Sequence, residues 1–161
     1  FTAWSEIGSA PELWHPQTRE TADHSLPYLL ALALMDGRIA TTSFDDARLH
    51  DPATLAVMNR IEITENPDYT RHYPDKLLTR IELLTRDGRR IEISAQYPKG
   101  HALNPMSDDD VNTKFVMTCD DALDAAQRDA LLDALWRIDR APDLTNLVDL
   151  LRFHSDAEAP K

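Results

Sequence analysis

The sequence predicts a small α+β domain in which a mid-chain antiparallel hairpin is covered by helices from either side. Three observations predict it. Apolar residues recur at helical spacing over residues 26–36, between a serine and a glycine. Two runs of alternating apolar and polar residues then flank Asp87-Gly88. Helical patterns return from Ser107 to the end. Strands in the middle of flanking helices make an α+β arrangement rather than a wound parallel sheet. With 161 residues there is chain enough for one sizeable core, so residues 1–161 read as a single domain.

Residues 1–21 read as irregular, because Pro11 and Pro16 interrupt any regular run. Ser25 is placed to cap the first helix, Pro27 is tolerated in its first turn, and Gly37 follows its end. Leu26, Leu29, Leu30, Ala33 and Leu34 form the expected buried face. Residues 39–44 read as a short strand or extended link. Asp51-Pro52 opens a second helix that carries Leu55, Met58 and Ile61 inward. Residues 61–64 read as extended and 66–74 as loop. In the hairpin Thr79, Ile81 and Leu83 alternate with Arg80, Glu82 and Leu84. Past Asp87-Gly88, Ile91, Ile93 and Ala95 alternate with Glu92, Ser94 and Gln96, so one face should meet a core. Ser107, with Asp108, Asp109 and Asp110 behind it, starts a helix that should bury Val111 and Phe115. Two more helices follow, over residues 125–137 burying Leu131, Leu135 and Ile138, and over 144–152 burying Leu147, Val148 and Leu151. The polar tail from Ser155 should fray. The chain opens on Phe1 rather than Met, which suggests a piece of a longer protein.

Composition excludes several classes of function. The chain has 28 acidic and 17 basic side chains, a net charge of −11, which repels phosphate backbones; no basic stripe offsets it, so a nucleic-acid partner is not expected. The longest apolar run, residues 26–35, is too short to span a membrane. No signal peptide is visible. The single cysteine, Cys119, has no partner for an internal disulfide, which fits a reducing, cytoplasmic setting, and it reads as a partly buried structural thiol.

Familiar catalytic signatures are missing, and four glycines leave little scope for a phosphate-cradling loop. The six histidines lack metal-ligand spacing. Two segments nevertheless gather polar residues where structure alone does not call for them. The first, Arg19-Glu20-Thr21-Ala22-Asp23-His24-Ser25-Leu26-Pro27-Tyr28, leads directly into the apolar helix. It can be read as capping and structural hydrogen bonds, or as a helix start with His24 facing an anionic substrate. The second runs from Tyr97-Pro98-Lys99-Gly100-His101 to Asn104-Pro105. It can be a solvated turn, or a loop on which Lys99 and His101 orient carboxylates or move a proton.

Both segments resemble the MmgE/PrpD family closely. The resemblance runs from Trp14-His15-Pro16-Gln17-Thr18 through Arg19–Tyr28 to Ala31-Leu32-Ala33-Leu34-Met35-Asp36-Gly37. It resumes at Tyr97-Pro98-Lys99-Gly100-His101, Asn104-Pro105-Met106-Ser107 and Lys114-Phe115. It covers essentially the whole chain, although the last forty or so residues carry little signature. The family includes 2-methylcitrate dehydratases, which serve the methylcitrate cycle of propionate catabolism, cis-aconitate decarboxylases and an iminodisuccinate epimerase. The resemblance implies a two-domain parent: a large helical first domain, this chain as the smaller second domain, and an active site in the cleft between them. It implies a small di- or tricarboxylate substrate, no metal or other cofactor, and a homodimeric parent. Most catalytic groups would come from the first domain, so this chain alone should be inactive. From the residues here it implies His101 and His24 as candidate catalytic groups, with Arg19, Ser25, Tyr28 and Lys99 as candidate substrate-binding groups. Two alternatives to the dehydratase stay open: a decarboxylase or epimerase parent, and a domain that serves only docking or dimerisation.

Overall fold

Asp23, His24 and Ser25 sit at a corner between two helices, and the first part of the fold is built around that corner. A computed structural model describes residues 10–120 and 122–152. What was expected of residues 1–9 and of the tail from Ser155 lies outside these. The described residues hold eight α-helices and one two-stranded antiparallel sheet, an α+β domain as the sequence predicted. The chain divides into two units, Phe1–Pro105 and Met106–Lys161.

In the first unit a 3-10 turn, Pro11–Trp14, precedes helix α1 (Arg19–Ala22) and helix α2 (Leu26–Asp36). Thr18 and Thr21 cap α1 reciprocally, each side chain accepting the other's backbone N–H. Ser25 caps α2 by accepting from the Tyr28 N–H at 3.2 Å, and Gly37 closes it with φ 70°, a left-handed conformation that glycine adopts without strain. The limits of α2 are those expected; its buried face is not. Tyr28, Ala31 and Leu32 are wholly buried, while Ala33 and Leu34 are exposed and Leu26, Leu29 and Leu30 only half-buried. The reason is that α2 is apolar almost all round, so periodicity does not choose a face. The choice falls to Tyr28, whose ring needs burial and whose hydroxyl needs a partner, found in the Ser43 carbonyl at 2.6 Å.

Residues 41–44 form a 3-10 turn, not the strand or extended link expected; the Ser43 hydroxyl accepts from the Ala40 N–H at 3.0 Å and folds the chain back. A one-turn helix α3 (Asp46–Leu49), absent from the sequence reading, leads to α4 (Pro52–Met58). Asp51 caps α4 as expected, accepting from the Ala53 and Thr54 N–H groups at 3.1 and 3.2 Å. Arg48 grips both Asp36 oxygens at 2.8 and 2.7 Å and Asp51 at 2.9 Å, tying the end of α2 to the start of α4. Ala22, Tyr28, Ala31, Leu32, Leu49 and Met58 form the core, with Phe44, Leu55, Val57 and Ile61 packed against it. Each fully buried large side chain contributes about 1.5–3 kcal/mol.

Another one-turn helix, α5 (Pro67–Thr70), lies in the stretch expected to be loop. Strands β1 (Thr79–Leu84) and β2 (Arg90–Ala95) then pair antiparallel, with Ile81 opposite Ile93 and Leu83 opposite Ile91. The turn is a three-residue loop closed by Gly88 at φ 82°, as the Asp-Gly pair predicted. Its apolar face is only partly covered: Ile81 and Leu83 are half-buried, whereas Ile93 is 61% exposed.

The second unit holds α6 (Asp108–Cys119), α7 (Ala125–Trp136), a 3-10 turn (Ile138–Arg140) and α8 (Thr145–Leu150). Ser107 caps α6 as expected, Asp110 returns the bond by accepting the Ser107 N–H, and Asp124 caps α7. The Trp136 indole donates to Asn112 at 2.7 Å, joining α7 to α6; the Gln127 amide donates to the Leu150 and Arg152 carbonyls at 2.8 and 2.9 Å, joining α7 to α8. Leu131 is buried as expected. Val111, Leu135, Ile138, Val148 and Leu151 are exposed rather than buried, and Phe115 and Leu147 only half-buried. A layer of three short helices with this little core covers one row of side chains, not all of them.

Candidate functional site

The corner between α1 and α2 is made by two interlocking caps. Asp23 ends α1, and Ser25, two residues on, begins α2. The Ser25 hydroxyl accepts from Tyr28 and donates its only proton to the Leu13 carbonyl, which pins the Pro11–Trp14 turn beneath the corner. Tyr28 is buried one turn further along, and burial pushes its phenol above the ordinary value, with the Arg48 charge opposing. Ser25 and Tyr28, two of the expected substrate-binding residues, thus have their hydroxyls engaged inside the fold.

Arg19 and His24 lie on the outside of the same corner. The Arg19 guanidinium sits over the Phe44 ring, 5.8 Å from its centre, and Phe44 in turn packs on Tyr28 at 6.4 Å. The His24 ring is exposed, and its Nδ1 faces two acceptors: the Glu20 carbonyl at 3.0 Å and the Asp23 carboxylate. Two acceptors at one nitrogen require that Nδ1 carry the proton. The Glu20 carbonyl above all, and then Asp23 by hydrogen bond and charge, favour the protonated ring, so His24 titrates above its ordinary value. In the sequence Asp23 is only one of the polar residues that lead into α2. Its role as partner to His24 could be suspected from the adjacent Asp-His pair, but the backbone turn that brings in the Glu20 carbonyl could not.

The second segment is a closed loop. Gly100 N–H donates to the Asn104 carbonyl at 2.8 Å, Asn104 N–H returns to the His101 carbonyl at 2.8 Å, and the Asn104 amide donates to the Tyr97 carbonyl at 3.0 Å. Gly100 stands at φ 92°, which a side chain would resist. Within the loop the His101 ring stacks on Tyr97, centres 4.7 Å apart and planes 14° from parallel. Its Nδ1 accepts the Leu103 N–H at 3.1 Å. Lys99 is exposed at the tip. The sequence singled out Lys99 and His101; it missed Tyr97 as a stacking partner and Asn104 as the clasp, for which Tyr97 spaced four residues before His101 was the available signal.

Arg19, through Phe44, and His24, through Asp23 and the Glu20 carbonyl, thus stand around the corner that Ser25 and Tyr28 hold from within, while the hydrogen bond and ring contact of His101 go to Leu103 and Tyr97 of its own loop. Among the described residues no three His, Cys, Asp or Glu side chains gather as a metal-binding group. No helix among them is long and apolar enough to cross a membrane. Cys119 is a half-buried thiol, as expected.

Residues 2–138 match the profile of a family described as MmgE/PrpD C-terminal domain. Among curated relatives, the chain is 23% identical to a cis-aconitate decarboxylase of Mus musculus over 85% of this chain and 28% of that protein. It is 33% identical to a 2-methylcitrate dehydratase of Escherichia coli K12 over 50% of this chain and 18% of that protein. A 2-methylcitrate dehydratase of Cupriavidus necator is 31% identical over 49% and 17%. The chain thus spans less than a third of the length of these relatives.

Proposed function

Because this chain belongs to the MmgE/PrpD family and corresponds to its C-terminal domain, we propose that it closes the active site of a 2-methylcitrate dehydratase-like hydro-lyase. Its partner is an N-terminal helical domain of the same protein, its substrate a small tricarboxylate, and the assembled enzyme a cytoplasmic homodimer. Such a dehydration removes a proton beside a carboxylate and expels hydroxide from the neighbouring carbon. It needs a base, an acid and donors that hold the carboxylates. His24 and His101 are the groups here that can accept a proton or direct an N–H; Arg19 and Lys99 are cations suited to carboxylates. Ser25 and Tyr28 shape the helix start, and meet substrate only by exchanging their backbone partners.

The observation that carries this reading is the exposed His24 ring, held at Nδ1 with Nε2 turned away from its protein partners. Identity of 31–33% to relatives named as dehydratases supports dehydration. A decarboxylase parent is the second reading, favoured by alignment over 85–89% of this chain, at 23–24% identity. The test is to give the full-length protein 2-methylcitrate and cis-aconitate separately. Formation of the unsaturated acid without gas release supports the dehydratase; release of carbon dioxide from cis-aconitate supports the decarboxylase. Unchanged turnover and KM in Arg19→Ala, His24→Ala and His101→Ala would remove this chain from the active site and leave a docking role.

A further inference from the structure

The two candidate histidines are held in opposite tautomers. The His24 Nδ1 faces a carbonyl and a carboxylate, both acceptors, so in the neutral ring the proton sits on Nδ1 and Nε2 carries a lone pair. The His101 Nδ1 accepts a backbone N–H from Leu103, so in the neutral ring the proton sits on Nε2. Neither ring can rotate freely into the other state. Flipping His24 would point carbon at Asp23 and the Glu20 carbonyl. Flipping His101 would break the Leu103 bond, while the Tyr97 stack fixes the plane of the ring.

We infer that these residues do different work: His24 takes up a proton at Nε2, and His101 gives a hydrogen bond from Nε2–H to a substrate carboxylate. Asp23 positions the first ring; Tyr97 and the Leu103 N–H position the second. The assignment rests on the dehydratase-type reading above. In the step itself the C–H bond beside the carboxylate breaks and its proton passes to the His24 Nε2. The electron pair becomes the new double bond, and hydroxide leaves the adjacent carbon. It departs as water with a proton from a cationic acid, an ammonium or imidazolium side chain, in the rest of the enzyme. The doubly protonated His24 ring then faces Asp23, the ionisable side chain in contact with it, with the Glu20 carbonyl beside it. A neutral imidazole does not give up its last N–H near neutral pH, so His101 in the tautomer that the Leu103 N–H selects serves as a donor rather than as the acid. The carboxylate oxygen it meets gains charge as the C–H bond breaks, which is where a fixed N–H contributes most.

The test has two arms. Long-range 15N–1H correlation spectra of the 161-residue chain above neutral pH should show His24 protonated at Nδ1 and His101 at Nε2. Matching tautomers, or the reverse pair, would overturn the assignment without any assay of activity. In the full-length enzyme, His24→Gln and His24→Ala should both lower kcat about 100-fold or more, because neither supplies a base. His101→Ala should lower kcat about tenfold or more, from a lost hydrogen bond to a charged group that strengthens in the transition state. His101→Gln, whose amide N–H overlies the Nε2 position, should recover most of that loss. Asp23→Asn should move the acidic limb of the kcat/KM profile to lower pH, an effect that a merely structural residue would not produce. A wild-type enzyme that turns over neither 2-methylcitrate nor cis-aconitate would sink the functional reading and the assignment with it. Turnover with a His24→Gln variant of undiminished kcat, or no recovery in His101→Gln, would sink the assignment alone.

Discussion

Replacing Ser25 by alanine removes one oxygen that serves two buried partners. The hydroxyl caps α2 through the Tyr28 N–H, and losing a serine cap costs about 1 kcal/mol. It also supplies the proton that satisfies the Leu13 carbonyl, and a buried acceptor left unpaired costs about 1–3 kcal/mol more. Ser25 is wholly buried, so water cannot readily replace either bond. The sum, about 2–4 kcal/mol, is a large share of the roughly 5–15 kcal/mol that holds an ordinary domain together. With a urea dependence of about 2 kcal/mol per molar, the unfolding midpoint of the first unit should fall by about 1–2 M. Urea titration of the chain, followed by tyrosine fluorescence and by circular dichroism, measures this. Ser25→Thr should recover part of the loss, since a threonine hydroxyl can also cap. A midpoint lowered by less than about 0.3 M in Ser25→Ala would refute the two-partner account, and would free Ser25 for a direct part in binding.

Three further outcomes follow from the same geometry. Leu32→Ala should cost about 2–5 kcal/mol, whereas Leu34→Ala, on the open side of α2, should cost under about 1 kcal/mol; thermal melts of the two variants compare the faces directly. Tyr28→Phe keeps the ring but strands the Ser43 carbonyl, and should cost about 1–3 kcal/mol by urea titration. Asp51 is held below the usual carboxylate range, first by the Thr54 hydroxyl and then by backbone N–H groups and Arg48. Its stabilisation is therefore complete above the unfolded value near about 3.9 and is lost as pH falls through the lower folded value. Asp51→Asn, which can still cap but has no charge to lose, should flatten the acid end of the stability–pH curve; an unchanged curve would show that Asp51 has no share in acid unfolding.

How much of the fold the sequence could show depended on how local the cause was. The ends of α2, the start of α4 and the hairpin turn are set by Ser25, Gly37, Asp51-Pro52 and Asp87-Gly88, each acting within a few residues, and all four were legible. The one-turn helices α3 and α5 were not, because four residues give no period to detect. The buried face of α2 was misread for a different reason. In Leu26–Asp36 nearly every side chain is apolar, so the packed face is decided by Ser43 and Phe44, which a window along α2 does not contain. In the second unit the apolar residues were found, but a row of leucines does not reveal how few partners it will have.

The candidate site divides along the same line. Residue type and crowding pointed to Arg19, His24, Lys99 and His101, since a histidine beside an aspartate and a lysine on a glycine-bearing turn are visible in the string of letters. What each histidine can do was not visible, because it is fixed by backbone atoms that every residue possesses: the Glu20 carbonyl on one ring and the Leu103 N–H on the other. The same imidazole is thereby an acceptor at one corner and a donor in one loop. Exchanging the two rings' backbone partners, rather than changing the rings, would exchange their roles. The chemistry of this site is then written as much in the turn at Asp23 and the clasp at Asn104 as in the histidines themselves.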